Sequence, residues 1–577
     1  MKSLFTCCCV VLANFWVAAQ SNLLSTNLIA EQVMLGNYDP ATYLPSVVVN
    51  HPDGIVSAIL EGVSPDSMKA YLLEMSTFGN RNTGADTVSN VTGIGAARRW
   101  VYQKFSEISA QNEGRLLPSY LQFNLNICGV LQHRNIFAVL PGIDTSAHGV
   151  VLIEAHLDSR CAGECDINCE AHGMEDNGSG TALVIDLARV MSQLAFDRTI
   201  VFLVTIGEEQ GLHGAEAFAT YSSIKDIPLR AVFNNDIVGG IVCGQTSSAP
   251  SCPGFNHIDS TQVRLFSAGG FNSRNKQLSR FIKLEYTEEV KDLAAVPMLL
   301  TIMSAEDRTG RGGDHIPFRE QGFAAMRFTS ANEHGNANVS SASYHDRQHT
   351  SDDILGVDTD GDSVLDSFFV DFNYLSRNAV INGVAGAMAA IGPVTPDFQV
   401  VRNGEVAIVD ITDPLDYGHY RVFVRSSTND FDTVYTSLDT HFVFPQPATT
   451  FYVSVASVDE NGVESLFSRE ALPGLVSGTD EPEQEALPAV ELLQNRPNPF
   501  DEATIISFWV DPEISFREAI LNVSDMNGKV LWTQKLQFKT GMNEVLYEHG
   551  YNTTGVYAYS LVVDGKLAGT KRMIFAN

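Results

Sequence analysis

GVVLIEAHLDS, residues 149–159, opens on a continuous apolar run and closes on a histidine and an aspartate. A short run without alternation marks a strand buried on both faces. TIVFLVTI at 199–206 repeats the pattern and is followed by Glu208 and Glu209, and RAVFN at 230–234 leads into Asn235 and Asp236. Between the first two runs, GSGTALVIDLARVMSQL (178–194) carries apolar residues at helical spacing. Strand and helix in alternation read as an α/β domain with a mixed, largely parallel sheet flanked by helices. Further helices are expected at 94–109, 212–222, 275–287 and 373–391.

In such a sheet, ligands bind in the crevice beyond the carboxyl ends of the strands. Three successive strands deliver His156 with Asp158, Glu208 with Glu209, and Asp236 to those ends. Asp176, inside MEDNGSG at the start of the long helix, reads alone as an N-cap. Beside the other groups it is a candidate metal bridge. Zinc is satisfied by imidazole nitrogen and carboxylate oxygen, and two neighbouring ions need one carboxylate between them. Such a ligand set leaves a position for a shared water, whose acidity the metals raise. Glu208 beside Glu209 suits a base next to a ligand, and Asp158 is placed to fix the His156 ring.

EAHLDS, GMEDNGSG, TIGEEQGLHGA, NNDIVGG and QHTSDD resemble, in order, the motif set of the co-catalytic zinc aminopeptidases that include bacterial leucyl aminopeptidases and aminopeptidase Y. The resemblance spans about 300 residues, includes GGDHIPFREQGFAAMRF, and implies a zinc peptidase fold. It also implies two zinc ions, with His156 and Asp236 as terminal ligands on different sides of the bridge. Asp176 is then the bridging carboxylate, Glu209 and His349 complete the set, Glu208 is the general base and Asp158 orients His156. The substrate implied is a peptide with a free N-terminus. Three departures stand out. The loop to the bridging aspartate, RCAGECDINCEAHG, holds three cysteines and His172 where relatives are often Gly-rich. His345 and His349 compete for the last ligand, with His349 preferred because Thr350 and Asp353 repeat the family's spacing. Gln348 occupies the place where many relatives carry an oxyanion-stabilising tyrosine, leaving Tyr344 as the candidate substitute.

The chain divides around this region. Residues 1–19 read as a signal peptide, with Lys2, an apolar stretch from Leu4, and Val17-Ala18-Ala19 before Gln20. That stretch is shorter than the roughly 20 residues of a spanning helix, so no transmembrane anchor is expected. Residues 20–75 are an N-terminal segment or propeptide, and 76–393 the peptidase domain. Residues 394–475 read as a small β-sandwich resembling a fibronectin type III domain, particularly in FYVSVASVDENGVES. An acidic linker, 476–488, follows. Residues 489–577 form a second all-β sandwich, in which QNRPNPF, DMNGKVL and GVYAYSL followed by Gly-Thr-Lys-Arg resemble the A-type sorting domain of type IX secretion. That resemblance implies the type IX machinery as a partner and an extracellular or cell-surface location after outer-membrane export.

Outside the leader the cysteines are Cys128, Cys161, Cys165, Cys169, Cys243 and Cys252. In an exported chain they favour disulfides. Cys243–Cys252 is the simplest pair, the other four are open, and a metal knuckle at Cys161, Cys165 and Cys169 is the alternative. Asp358, Asp360, Asp362 and Asp366 space oxygen ligands as calcium requires, but the glycine after Asp362 and the closing Glu of an EF-hand are missing. A formal charge of −31 excludes nucleic-acid binding through a basic face. Rival readings are a carboxypeptidase or dipeptidase on the same core, a single-zinc glutaminyl cyclase, and an inert surface binding protein.

Overall fold

The structure, a computed structural model, describes residues 20–243, 257–269, 273–308, 311–330, 347–426, 428–475, 490–500, 503–510, 519–525, 530–548, 555–563 and 566–575. The signal segment, the linker, Tyr344, His345 and Cys252 lie outside the described residues.

Nine strands form the main sheet: β1 (Ser21–Ser25), β2 (Leu117–Ile127), β3 (Val130–Leu140), β4 (Val150–His156), β5 (Thr199–Thr205), β6 (Leu229–Asn235), β7 (Gln262–Phe266), β8 (Leu299–Ile302) and β9 (Ala325–Ser330). Their spatial order is β1-β2-β3-β5-β4-β6-β9-β7-β8. The centre, β5-β4-β6-β9, is parallel, while β1-β2, β2-β3, β3-β5 and β9-β7 pair antiparallel. Every residue of β4 and β5 is buried, as an unalternating apolar run requires.

The helices are α1 (Leu28–Met34), α2 (Pro52–Gly62), α3 (Pro65–Met75), α4 (Gly93–Gln111), α5 (Gly180–Met191), α6 (His213–Ile224), α7 (Arg274–Glu285), α8 (His315–Glu320) and α9 (Phe372–Ile391). β5 and β6 lie on opposite sides of β4, so right-handed crossovers send α5 and α6 to opposite faces. The chain therefore reverses direction around β4 and leaves a crevice at its carboxyl end. α5 and α9 pack on β4, and α2 and α3 cover them. Ala30, Ile55, Ile59, Met68 and Leu72 are all buried in the same core as the sheet.

Two disulfides, Cys128–Cys165 and Cys161–Cys169, staple the loop that follows β4. They overturn the metal-knuckle alternative, since all three of its sulfurs are in S–S bonds. Cys243 is also disulfide-bonded.

After α9, residues 397–403, 406–412, 441–445 and 474–475 form one small sheet, and 420–425, 433–437 and 452–457 another. The inner faces share a core around Val409, Val422 and Val453. On the outer face, the Phe467 ring centre lies 4.2 Å from that of Phe423 and 5.5 Å from that of Phe281 of α7, which joins this sandwich to the main core. Residues 477–577 are a separate compact unit with two sheets of three and four strands around Phe508, Leu521 and Tyr559.

Candidate metal centre

Parallel register aligns the carboxyl ends of three strands: His156 pairs with Thr205 of β5, and Glu154 with Asn234 of β6. The residues just beyond those ends, Glu208, Glu209 and Asp236, thus surround His156. The fourth contributor is the turn of residues 174–179 before α5. Its backbone is fixed by Asp353, whose carboxylate accepts the N–H groups of Glu175 and Asp176 at 2.9 and 3.0 Å. Asn177 donates to Asn235 O at 2.8 Å and accepts from Ile237 N at 3.2 Å, locking the turn to β6. Gly180 is required here by closeness alone, because a Cβ would stand 2.2 Å from Asn235 O.

Asp176 divides its two oxygens between two imidazoles. Oδ1 lies 3.2 Å from His156 Nε2, and Oδ2 lies 3.1 Å from His349 Nε2. Asp236 Oδ1 completes the first group at 3.5 Å from His156 Nε2, and Glu209 Oε2 the second at 3.1 Å from His349 Nε2. Each group brings three ligand atoms within 4.8 Å of one another, and all five residues are buried.

This geometry calls for added positive charge. His156 Nδ1 meets the backbone carbonyl of Asp158 at 3.0 Å, and a carbonyl only accepts, so Nδ1 carries the proton. In the neutral ring the lone pair of Nε2 then faces carboxylates. Nε2, Glu209 Oε1 and Asp236 Oδ1 are buried without hydrogen-bond partners. Burial disfavours a charged His156, yet Glu208, Asp158, Asp176 and Asp236 together hold its pKa well above the usual imidazole range. A cation between these atoms does the same work, so the donor set fits zinc.

On the second side Arg160 donates from Nε to Glu209 Oε2 and from its terminal nitrogen to His349 Nδ1, both at 2.9 Å. His349 therefore carries its proton on Nε2, and a metal there would displace it. Arg160 had no assigned role; its one signal in the sequence is its place at the head of the atypical loop. Arg327 was also missed. It lies 3.1 Å from Asp236 Oδ2 and pairs with Asp307. Burial opposes ionisation of Asp236, but Arg327 and His156 keep its pKa below the ordinary carboxylate range.

Asp158 serves His156 differently from expectation. Its carboxylate stands 3.6 Å from Nδ1 and accepts the backbone N–H groups of Glu208 and Glu209 at 3.3 and 3.2 Å, while its backbone carbonyl holds the ring. Glu208 Oε2 lies 4.0 Å from His156 Nε2. Burial, with Asp236, Glu209 and Asp314 nearby, pushes the Glu208 carboxyl well above its ordinary pKa in spite of His156.

Of the acidic loop, Asp358, Asp360 and Asp366 come together, and Asp362 stands outside the group. Asp358 already accepts N–H groups from Asp360, Gly361 and Ser363, and Asp362 accepts from Val364.

An α/β sheet with clustered imidazole and carboxylate donors at its carboxyl edge defines a metallohydrolase class of site. Residues 135–363, which contain every donor above, match peptidase family M28. A probable zinc metalloprotease of Pyricularia oryzae is 31% identical over 372 residues, covering 61% of this chain and 70% of that protein. One from Pyrenophora tritici-repentis is 30% identical over 359 residues, covering 60% and 78%. The crystal structure of the Legionella pneumophila LapA aminopeptidase superposes with a TM-score of 0.43 at 18% identity, covering 60% of this chain and 76% of that one. The chain belongs to peptidase family M28 and is a zinc metallopeptidase.

Proposed function

We propose that the chain is an exported aminopeptidase whose centre holds two zinc ions. The observation that carries this reading is the division of Asp176 between two donor groups, His156 with Asp236 and His349 with Glu209. When bound, zinc supplies Lewis acidity toward the scissile carbonyl and lowers the pKa of water. Glu208 then takes the proton of the attacking water and delivers it to the leaving amine. Asp158, by gripping the amides of Glu208 and Glu209, holds base and ligand in one turn. Asp353 fixes Asp176 in the same way.

An aminopeptidase is chosen over a carboxypeptidase on the same metal core. The ordered motifs that resemble co-catalytic zinc aminopeptidases support the same choice. Export rests on the apolar leader and on the likeness of residues 489–577 to a type IX sorting domain. Calcium at Asp358, Asp360 and Asp366 is the finer cofactor reading, and equilibrium dialysis without calcium uptake would remove it.

The test is zinc content together with hydrolysis of one peptide offered with a free and with an acetylated N-terminus. Two zinc ions and release of the first residue from the free peptide only are expected. Cleavage of the acetylated peptide at an equal rate would overturn the aminopeptidase reading.

A further inference from the structure

A cavity of about 500 Å³ lies away from the metal centre, on the seam between α7 and the sandwich that follows α9. Arg230, Arg274 and Arg469 line it, over an apolar wall that includes Leu278, Phe398 and Phe467. Arg230 is the second residue of β6, whereas Asp236 follows the last. Six residue steps along the strand separate them by about 20 Å, so cavity and metal centre sit at opposite ends of the same strand.

The charge around this cavity is out of balance. Neither Arg274 nor Arg469 has an ion pair or a side-chain hydrogen bond among the described residues, and both are exposed at the rim. Arg230 spends one terminal nitrogen on Pro393 O at 3.1 Å, and its Nε is buried without a partner. Of the two acids in the lining, Glu470 is committed to Arg425 and Arg280. Asp397, exposed, is the remaining carboxylate. Burial and the neighbouring cations Arg198 and Arg274 bring Arg230 down to about 9. Three guanidinium groups gathered around one concavity, in a chain of formal charge −31, repel one another unless an anion joins them. Planar N–H forks match the oxygens of phosphate and carboxylate groups.

We propose that this cavity binds a doubly charged oxyanion, through Arg230 at its floor and Arg274 and Arg469 at its rim, independently of the metal centre. The apolar wall suits an anion with a hydrocarbon body, such as a phosphate monoester or an aliphatic dicarboxylate. Both share the same recognition chemistry.

The experiment is calorimetric titration of the zinc-loaded full chain with inorganic phosphate and, separately, with succinate. Each is repeated on Arg274→Ala/Arg469→Ala, whose changes are confined to exposed rim positions. Any phosphate bound at the metal centre is common to both proteins and cancels in the comparison. The expected result is at least a tenfold weaker dissociation constant in the double variant for one of the two anions. Aminoacyl-p-nitroanilide kcat/KM should stay within twofold of the parent. Weakening with phosphate alone assigns the site to phosphate esters, and with succinate alone to carboxylates. Identical titrations of both proteins with both anions overturn the proposal, and so does loss of hydrolysis in the rim variant.

Discussion

In β4 and β5 every residue is buried, whereas in residues 503–510 and 555–563 of the C-terminal unit burial alternates along the strand. The two regions dispose of polar groups differently. An alternating strand sheds charge sideways into solvent, so a lysine or glutamate on its outer face says little. A strand buried on both faces has no sideways exit, and nearly all its polar atoms collect at its ends. There they are capped by partners, committed to a ligand or, like Glu154 Oε1 and Oε2, buried without a partner. The unpartnered buried atoms of His156, Glu209 and Asp236 are of the second kind.

The hardest test of this contrast is Asp176→Ala. Both donor groups share that carboxylate, so the variant should lose zinc and hydrolysis together, measured by metal analysis and single-turnover assay. Retention of both ions would break the argument. Glu208→Gln should keep its zinc while kcat falls by about 10²–10⁴-fold, the range of general acid–base contributions. Undiminished turnover would remove Glu208 as the base.

A third prediction concerns a cluster of acids, Glu285, Glu464, Glu288 and Glu289, that shares the cation Arg421, which pairs with Glu464 and Glu288. Glu285, at the end of α7, has a pKa raised well above its ordinary value of 4.5, by burial first and then by Glu464, Glu289 and Glu288. Glu464 beside it is pushed up to about 7. Acids raised in the folded state bind protons more tightly there than in the unfolded chain. Folding stability is therefore greatest below the unfolded pKa and falls as pH rises from 4.5 through about 7. Glu285→Gln should leave stability unchanged at pH 4 and raise it by about 1–3 kcal/mol at pH 8, in urea unfolding at the two pH values. An equal effect at both would reject it.

The contrast between strand types also sets the smallest effects. Val201→Thr buries a hydroxyl in the middle of β5 and should cost about 1–3 kcal/mol. Leu546→Thr, at a position 60% exposed, should change stability by no more than about 0.5 kcal/mol. Comparable losses at the two sites would show that the C-terminal strands are buried on both faces in solution.

The same physics explains what could be read from residue order. The strands expected in the apolar runs that open at Gly149, Thr199 and Arg230 are found at Val150–His156, Thr199–Thr205 and Leu229–Asn235, because unbroken apolar runs are hard to satisfy in any other way. The helix expected at 373–391 spans Phe372–Ile391 for a similar reason. The antiparallel β2-β3 pair and the helices before residue 76 were not foreseen, since their half-buried pattern needs a partner surface before it has meaning. Within the site, strand-end donors were legible. Arg160 and Arg327 were not, and Asp353 was legible only as motif spacing behind His349 and not as the group that holds the Asp176 turn, because these pairings run across more than 90 residues, which spacing does not encode.

The packing of residues 21–75 bears on how the molecule can mature. β1 is a strand of the main sheet, Glu31 bonds Tyr221 and Lys225, and Ile59 presses against Gly383 of α9. Lifting this segment away would bare Ile55, Ile59, Met68 and Leu72, together with the apolar surface beneath them. A protease cutting near residue 80 would thus leave a nicked enzyme of two chains held together, with the severed piece still serving as its wall.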